Sequence, residues 1–87
     1  MAEHESHHES HPAIIKRLKR AHGHLASVIE MLVAERPCVE LAQQLQAVES
    51  AINSAKKTLI HEHISGCLAH GDGHDAVEEF KAIAKYL

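Results

Sequence analysis

Apolar residues recur at alternating steps of four and three positions over two long stretches of the chain. The first stretch comprises Ile14, Leu18, Ala21, Leu25, Val28 and Leu32, and the second comprises Leu41, Leu45, Val48, Ile52, Ala55 and Leu59. This spacing lines up the apolar side chains along one stripe of an α-helix, as in a coiled coil. The chain has no Trp, one Phe and one Tyr, so its core is aliphatic. An aliphatic core at helical spacing favours an all-α bundle over a β-sheet.

Proline and glycine mark the expected ends of three helices. The first helix is predicted to begin with Pro12 in its first turn and to end at Arg36-Pro37. The second helix is predicted over residues 38–66, and it is expected to stop either at Gly66 or in the turn of residues 71–73. A third, short helix is predicted over residues 75–87.

The chain is predicted to form one helical domain, residues 12–87, preceded by a histidine-rich tail, residues 1–11. Apart from the initiator methionine, the tail holds a single apolar residue, so we expect it to be disordered. A chain of 87 residues buries only a modest part of its surface, which makes self-association expected. No apolar run is long enough to span a membrane, and the first residues do not resemble a secretion signal, so the expected location is the cytoplasm.

The charge of the chain is unevenly distributed. Its formal net charge is -3 with histidine counted as neutral, which is not typical of a nucleic-acid-binding protein. Residues 16–20 nevertheless hold four cations in five positions, namely Lys16, Arg17, Lys19 and Arg20. This cluster predicts a local surface that binds phosphate groups.

Two cysteines and ten histidines make metal binding the leading candidate chemistry. Cysteines in a reducing compartment serve metal or redox chemistry more often than they form structural disulfides. His63 and Cys67 are four residues apart, so they project from one face of a helix and can hold one ion. Alone, such a pair is a weak signal, and the position of Cys38 strengthens it.

Cys38 cannot join this pair within one chain if the second helix is continuous. The 25 positions from Cys38 to His63 span roughly 37 Å at about 1.5 Å of rise per residue. If the second helix pairs antiparallel with its counterpart in a second copy, Cys38 of one copy lies level with His63 and Cys67 of the other. The twofold axis then passes between about Glu49 and Asn53, which centres Ile52 in the contact. Such a dimer contains two identical sites.

With these three ligand positions, the sequence resembles the CsoR/RcnR family of copper-, nickel-, cobalt- and formaldehyde-sensing repressors. The resemblance also rests on the segments RLKRAHGH (17–24) and AQQLQAV (42–48), and it covers about residues 11–87. It implies an antiparallel four-helix-bundle dimer that assembles into a disc-shaped homotetramer. It further implies a repressor that binds double-stranded operator DNA when metal-free and releases it when the inducer binds, which derepresses metal efflux genes.

The same resemblance assigns the DNA contacts to basic residues on helix faces, because the family lacks a helix-turn-helix. Here those residues are Lys16, Arg17, Lys19 and Arg20. Lys56 and Lys57 are further candidates, although they equally fit a solvated helix face. His22 and His24 are expected to face solvent or DNA, and His61 is expected at the surface or behind a ligand.

The donor set leaves two classes of inducing metal open. Two thiolates and one imidazole make a three-coordinate soft site that suits Cu(I). Ni(II) and Co(II) need four or more donors, and the resemblance implies that nickel-sensing relatives recruit one from the N-terminus. A gap-free comparison puts that donor at Ser6, beside His7, with His4 and His8 as the other candidates. The histidine-rich tail therefore favours Ni(II) or Co(II), with Cu(I) as the alternative.

Particular residues disfavour other functions. The formaldehyde sensors of the family lack a thiol at the third position, so Cys67 argues against that activity, and persulfide sensing by a Cys38-Cys67 pair leaves His63 without a role. A histidine-rich metal storage or buffering protein is the alternative from another class, but such a protein has no need of the basic cluster at 16–20. An enzyme is not expected, because the chain has no Gly-rich loop and little room for a substrate pocket.

Overall fold

Three α-helices make up the part of the chain that the computed structural model describes, which is residues 11–70 and 73–87, with side chains for residues 11–66 and 76–87. They are α1 (His11–Val33), α2 (Cys38–His70) and α3 (Gly73–Ala84), and α2 contacts both of the others. The described residues contain no strand. This confirms the prediction of an all-α chain of three helices. No helix in the described ranges is long and apolar enough to cross a membrane.

A capping motif ends α1 at Val33, before the predicted boundary at Arg36. Glu35 adopts the left-handed conformation, with a φ of 58°. The Arg36 N–H donates to the Met31 carbonyl at 3.1 Å, and the Glu35 N–H donates to the Leu32 carbonyl at 3.0 Å. These two bonds define a Schellman motif, in which Glu35 occupies the position that glycine usually takes. The motif satisfies the last carbonyls of α1 and reverses the chain, so α2 runs back along α1.

α2 continues through Gly66 and ends at His70, which agrees with the second of its two predicted stops, the turn of residues 71–73. A single glycine costs a helix interior about 1 kcal/mol, which is small for a helix of 33 residues. At the other end, the Pro37 carbonyl accepts the Leu41 N–H at 3.0 Å, so Cys38 is the first residue of the helix. One continuous helix therefore carries Cys38 at its start and His63 and Cys67 near its end.

α3 is displaced by a few residues from its predicted range. It begins at Gly73 and ends at Ala84, whereas the sequence pattern indicated residues 75–87. The N–H groups of Tyr86 and Leu87 donate three residues back, to Ile83 and Ala84, in a tight turn that ends the helix.

The apolar residues of α1 and of α2 form two lines on each helix, and one line of each helix is buried in the core between them. Residues at intervals of seven are buried, namely Ile14, Ala21 and Val28 on α1 and Leu41, Val48 and Ala55 on α2. The residues between them form what we call the open seam, which comprises Leu18, Leu25 and Leu32 on α1 and Leu45, Ile52 and Leu59 on α2. Every residue of the open seam is more than a third exposed, and Ile52 is 45% exposed. A continuous apolar line of this kind marks a surface that a partner covers.

The described chain is a single layer of helices. Its principal extents are 54 × 28 × 13 Å, and one helix with its side chains is about 10–12 Å across. A single layer cannot cover both faces of its own helices, and stable domains are built from at least two packed layers. The thinness of the chain is therefore a structural reason to expect self-association.

Candidate metal centre and nucleic-acid interface

Cys38 opens α2 and lies in line with the open seam. Its thiol is exposed and forms no disulfide. Cys38, Leu45, Ile52 and Leu59 follow one another at intervals of seven, which is close to two helical turns, so they share one side of α2. A thiol in this position contacts whatever covers the seam.

His63 lies on the same side of α2 near its other end. It follows Leu59 by four residues, and its side chain is 35% exposed. Because α2 is continuous, Cys38 and His63 are separated by roughly 37 Å along the helix. Cys67 lies one turn beyond His63 on α2, and its side chain is outside the described set. A site built from all three residues therefore needs a second chain.

α3 orients the imidazole of His63. The Nε2–H of His63 donates to Oε1 of Glu79 at 3.0 Å. In this tautomer Nδ1 carries the lone pair, which is the form of the ring that binds a metal ion. A carboxylate behind a histidine also makes the ring a stronger ligand. Glu79 was not predicted from the sequence, because no spacing rule connects it to His63 across the turn between α2 and α3.

A second imidazole and carboxylate meet beside His63. Nε2 of His11, at the start of α1, lies 3.6 Å from Oε1 of Glu62. These two side chains line a small cleft together with Leu59, His63 and Ile83. The first residue of α1 is thereby placed next to the turn of α2 that carries His63. Glu62, too, was not predicted from the sequence.

The tail histidines predicted as ligands, His4, His7 and His8, lie outside the described residues. Within the described ranges, no group of three or more His, Cys, Asp or Glu residues is arranged to hold a metal ion. His22 and His61 are exposed, as expected. The metal ligands predicted from the sequence are therefore not brought together within the described part of one chain.

The basic cluster lies on the outside of α1. All four of its members, Lys16, Arg17, Lys19 and Arg20, are exposed. Arg17 and Arg20 line a groove between α1 and α2, which we call the basic groove, together with Ala21, His24, Ala51 and Ser54. Two guanidinium groups and a hydroxyl are donors that suit phosphate oxygens.

His24 is less exposed than predicted from the sequence, which gave it a solvent-facing or a DNA-facing position, and it lines the basic groove. It is half-buried, and its Nε2–H donates to Oε1 of Gln44 on α2 at 2.6 Å. Position 24 lies between the buried residues Ala21 and Val28, so its side chain turns toward α2. His24 therefore joins the two helices beside the basic groove.

Lys56 and Lys57 are both exposed but lie on different sides of α2. Lys56 lines a shallow groove with Glu49, Ile52 and Asn53, which places it beside the open seam. Lys57 is about 100° further round the helix. Of the two lysines, only Lys56 neighbours the surface that a second chain is expected to cover.

The chain is similar in sequence to known proteins along nearly its whole length. A family model described as metal-sensitive transcriptional repressor matches residues 10–86. The chain is 35% identical over 78 residues to the copper-sensing transcriptional repressor CsoR of Mycobacterium ulcerans, which covers 85% of this chain and 67% of that protein. It is 32% identical over 76 residues to the CsoR of Bacillus subtilis, with 83% and 75% covered.

A further relative carries a different name with the same description. The copper-sensing transcriptional repressor RicR of Mycobacterium tuberculosis is 32% identical over 79 residues, which is 83% of this chain and 82% of that protein. The chain spans about two thirds of the length of the mycobacterial CsoR proteins, between 66% and 67%. No solved structure matches the chain.

Proposed function

Since the chain belongs to the family of metal-sensitive transcriptional repressors, we propose that it binds operator DNA when metal-free and releases the DNA when Cu(I) binds. The family consists of repressors, which confirms the prediction that the chain is not an enzyme and gives the storage interpretation no support. The observation that carries the proposal is the position of Cys38 and His63 at opposite ends of the open seam on α2.

Antiparallel pairing of two α2 helices covers the seam and completes the metal site in one step. Cys38 of one chain comes level with His63 and Cys67 of the partner subunit, and twofold symmetry repeats the site at the other end. Each half-exposed Leu or Ile that the contact buries contributes on the order of 1 kcal/mol. Assembly of the dimer and assembly of the site thus depend on the same contact.

Charges beside the seam fit this register. When Cys38 lies level with Cys67 of the partner subunit, Glu49 lies level with Lys56 of the partner subunit. Glu49 and Lys56 both flank Ile52 in the groove described above. Opposite charges at such flanking positions favour one register over shifted ones. We therefore assign Lys56 to the dimer contact and keep Lys57 as the DNA candidate on α2.

Cu(I) is the inducer that best fits the proposed donors. Two thiolates and one imidazole satisfy a three-coordinate soft ion without further ligands, and the relatives above are named as copper-sensing. The sequence-based preference for Ni(II) or Co(II) requires additional nitrogen donors, for which His7, His4 and His8 are the candidates. Cu(I) needs none of them.

The DNA-binding face is linked to the metal centre through the packing of α1 on α2. α1 carries the basic groove, and the His24–Gln44 hydrogen bond joins the helices beside it. When an ion draws Cys38 toward His63 of the partner subunit, the ends of the two α2 helices move and α1 moves with them. The ion favours release only by the difference in its affinity for the DNA-free and DNA-bound forms.

We expect Cu(I) to release operator DNA and Ni(II) or Co(II) not to. One equivalent of Cu(I) per chain should weaken DNA binding roughly 5- to 150-fold, the usual range for coupling between two sites. The measurement is the fluorescence anisotropy of a labelled operator fragment, selected from genomic DNA by the metal-free protein. Each metal is added separately to the reduced protein without oxygen.

Two results contradict this expectation in different ways. If Ni(II) releases the DNA and Cu(I) does not, the inducer is nickel, and the tail histidines are the candidates for its additional donors. Failure of the metal-free protein to select any DNA fragment at low salt contradicts the repressor mechanism itself.

Arg17→Ala is expected to weaken operator binding several-fold and to flatten its salt dependence. Removing one cation that neutralises a phosphate lowers the slope of log K against log salt by about 0.9. Arg36→Ala is the matched control, because it removes an exposed cation from the loop after α1, where Arg36 pairs with Glu40 at 2.9 Å. Binding measured at several salt concentrations should show a changed slope for Arg17→Ala alone. Equal changes in both variants mean that overall charge, and not the basic groove, governs binding.

A further inference from the structure

The open seam and the basic groove lie on opposite sides of the buried line of α1. Leu18 and Leu25 are three residues before and four residues after the buried Ala21, which turns both of them about 40–60° to one side of it. Arg17 and His24 are four residues before and three residues after Ala21, so they turn by the same angles to the other side. The buried line thus separates the apolar surface of α1 from its basic surface.

The same division holds on α2. Ile52 and Leu59 lie to one side of the buried Ala55, because they are three residues before and four residues after it. Ala51, four residues before Ala55, turns to the other side, and Ser54 lies further round in that direction. Since α1 and α2 run antiparallel with their buried lines facing each other, the open seam occupies one face of this layer and the basic groove occupies the opposite face.

The surface around the basic groove holds cations and neutral side chains. α1 has no acidic residue in the range 11–29. On α2, Lys57 is exposed and lies one turn beyond Ser54, so it extends the positive surface of the groove. Glu49 lies on the other face, where it flanks Ile52 of the open seam. A surface with this distribution of charge attracts the phosphates of a duplex.

Pairing of two chains through the open seam turns their basic grooves away from each other. The seam faces of the two layers are then in contact, so the grooves lie on opposite outer faces of the dimer and are related by its twofold axis. Two layers of helices, each about 10–12 Å thick, separate these outer faces by about 20 Å. DNA is stiff over about 150 base pairs, so a short duplex does not bend round the dimer to reach both grooves.

We propose, resting on the function proposed above, that the metal-free dimer is bivalent toward DNA, with each basic groove holding its own double-stranded segment, so that one dimer bridges two segments. The thickness of the dimer makes this arrangement electrostatically feasible. The outer faces are separated by more than the Debye length of about 8 Å at physiological salt, so the two duplexes repel each other only weakly. A second segment of the same DNA molecule is also held at a high effective concentration once the first is bound.

Capture of one labelled duplex by another tests for bridging. A biotinylated operator fragment is fixed on streptavidin beads, and a fluorescent copy of the same fragment is added with the reduced, metal-free protein at low salt. Retained fluorescence is expected to rise to a maximum and then to fall, because excess protein supplies every duplex with its own dimers. The anisotropy of the fluorescent fragment, measured without beads, reports binding to a single duplex.

Ile52→Glu separates bridging from DNA binding. Each chain of this variant keeps its basic groove, so binding to one duplex remains measurable by anisotropy, whereas retention on the beads falls to the level without protein. Val39→Glu is the matched control and should bridge like the parent chain. Val39 is 71% exposed and lies 15 residues before Ser54 on α2, which is roughly 22 Å along the helix. Far-UV circular dichroism verifies that both variants keep their helices.

The possible failures have different meanings. Binding in the anisotropy assay without retention on the beads at any protein concentration overturns bridging and leaves the proposed function intact. A continuous rise of retention with excess protein means that coated DNA aggregates, which also overturns bridging. Retention by Ile52→Glu equal to that of the parent chain does the same, because bridging then does not come from pairing through the open seam. Absence of DNA binding in both assays contradicts the proposed function itself, and bridging with it.

Discussion

Cys38→Ala is expected to abolish the response to Cu(I) while operator affinity stays within about twofold of the parent chain, because an exposed side chain without buried contacts is being shortened. The Cys38 thiol is exposed and forms no disulfide at the first residue of α2. The remaining His63 and Cys67 come from one chain, so an ion held by them no longer links that chain to its partner. Operator binding measured by anisotropy at rising Cu(I) should therefore keep its metal-free value throughout.

A mixture of two unresponsive variants separates a shared site from one within a single chain. Cys38→Ala and His63→Ala each lose one ligand, yet in a mixed dimer the intact Cys38 of one chain meets the intact His63 and Cys67 of the other. Random pairing makes about half of the dimers mixed, each with one complete site, so about a quarter of the parent's Cu(I) capacity returns. The chains are exchanged by unfolding and refolding, and a Cu(I) chelator measures the capacity.

The shared site is contradicted by either of two results. A full copper response in Cys38→Ala alone removes that thiol from the ligand set. An absence of recovery in the mixture means that Cys38 and His63 of different chains do not meet. The parent chain, taken through the same unfolding and refolding, controls for loss of folded protein.

The apolar pattern predicted both long helices, because helical periodicity depends only on local spacing. The pattern could not indicate which line of apolar residues on each helix is buried between α1 and α2 and which one remains exposed. In the structure Val28 and Val48 are 1% and 4% exposed, whereas Leu25 and Ile52 are 37% and 45% exposed. This division depends on how α1 is rotated against α2, which the short loop capped at Glu35 controls. Rotation of one helix against another is a tertiary property that spacing along the chain does not encode.

The candidate metal centre was predictable as far as ligand types and helical spacing allow. His63 and Cys67 share a face through local geometry, and the length of α2 separates them from Cys38 of the same chain. The contacts of Glu79 and Glu62 depend on where α3 and the start of α1 pack against the end of α2. The contact of His24 with Gln44 was not predictable for the same reason, because only the packed pair of helices brings the two side chains together.

The tail shows how composition and position differ as guides to metal chemistry. The number of tail histidines led to the prediction of Ni(II) or Co(II) as the inducer, because these ions have higher coordination numbers and need more donors. His11, the one tail histidine within the described residues, faces Glu62 of its own chain. The number of tail histidines says only how many donors are available, whereas the position of His11 shows which side chain one of them meets.

Ile52→Glu is expected to dissociate the proposed dimer and to remove the copper site with it. Ile52 is 45% exposed on the open seam and lies close to the twofold axis of the antiparallel pairing. A glutamate there meets its own symmetry mate, so two like charges are buried together where two isoleucine side chains had packed. A cost of several kcal/mol raises the Kd of the dimer about 100-fold or more. Sedimentation equilibrium at micromolar concentration should then show mainly single chains.

Val39→Glu is the matched control for this substitution. Val39 is on the same helix and is 71% exposed, but it lies away from the line that runs from Cys38 to Leu59. A glutamate there stays in water and should leave sedimentation unchanged, because an exposed charge is not desolvated. If Ile52→Glu sediments like the parent chain, the seam is not the dimer contact. Cys38 then has no route to His63 of the partner subunit, since the pairing of the two α2 helices is what brings them together.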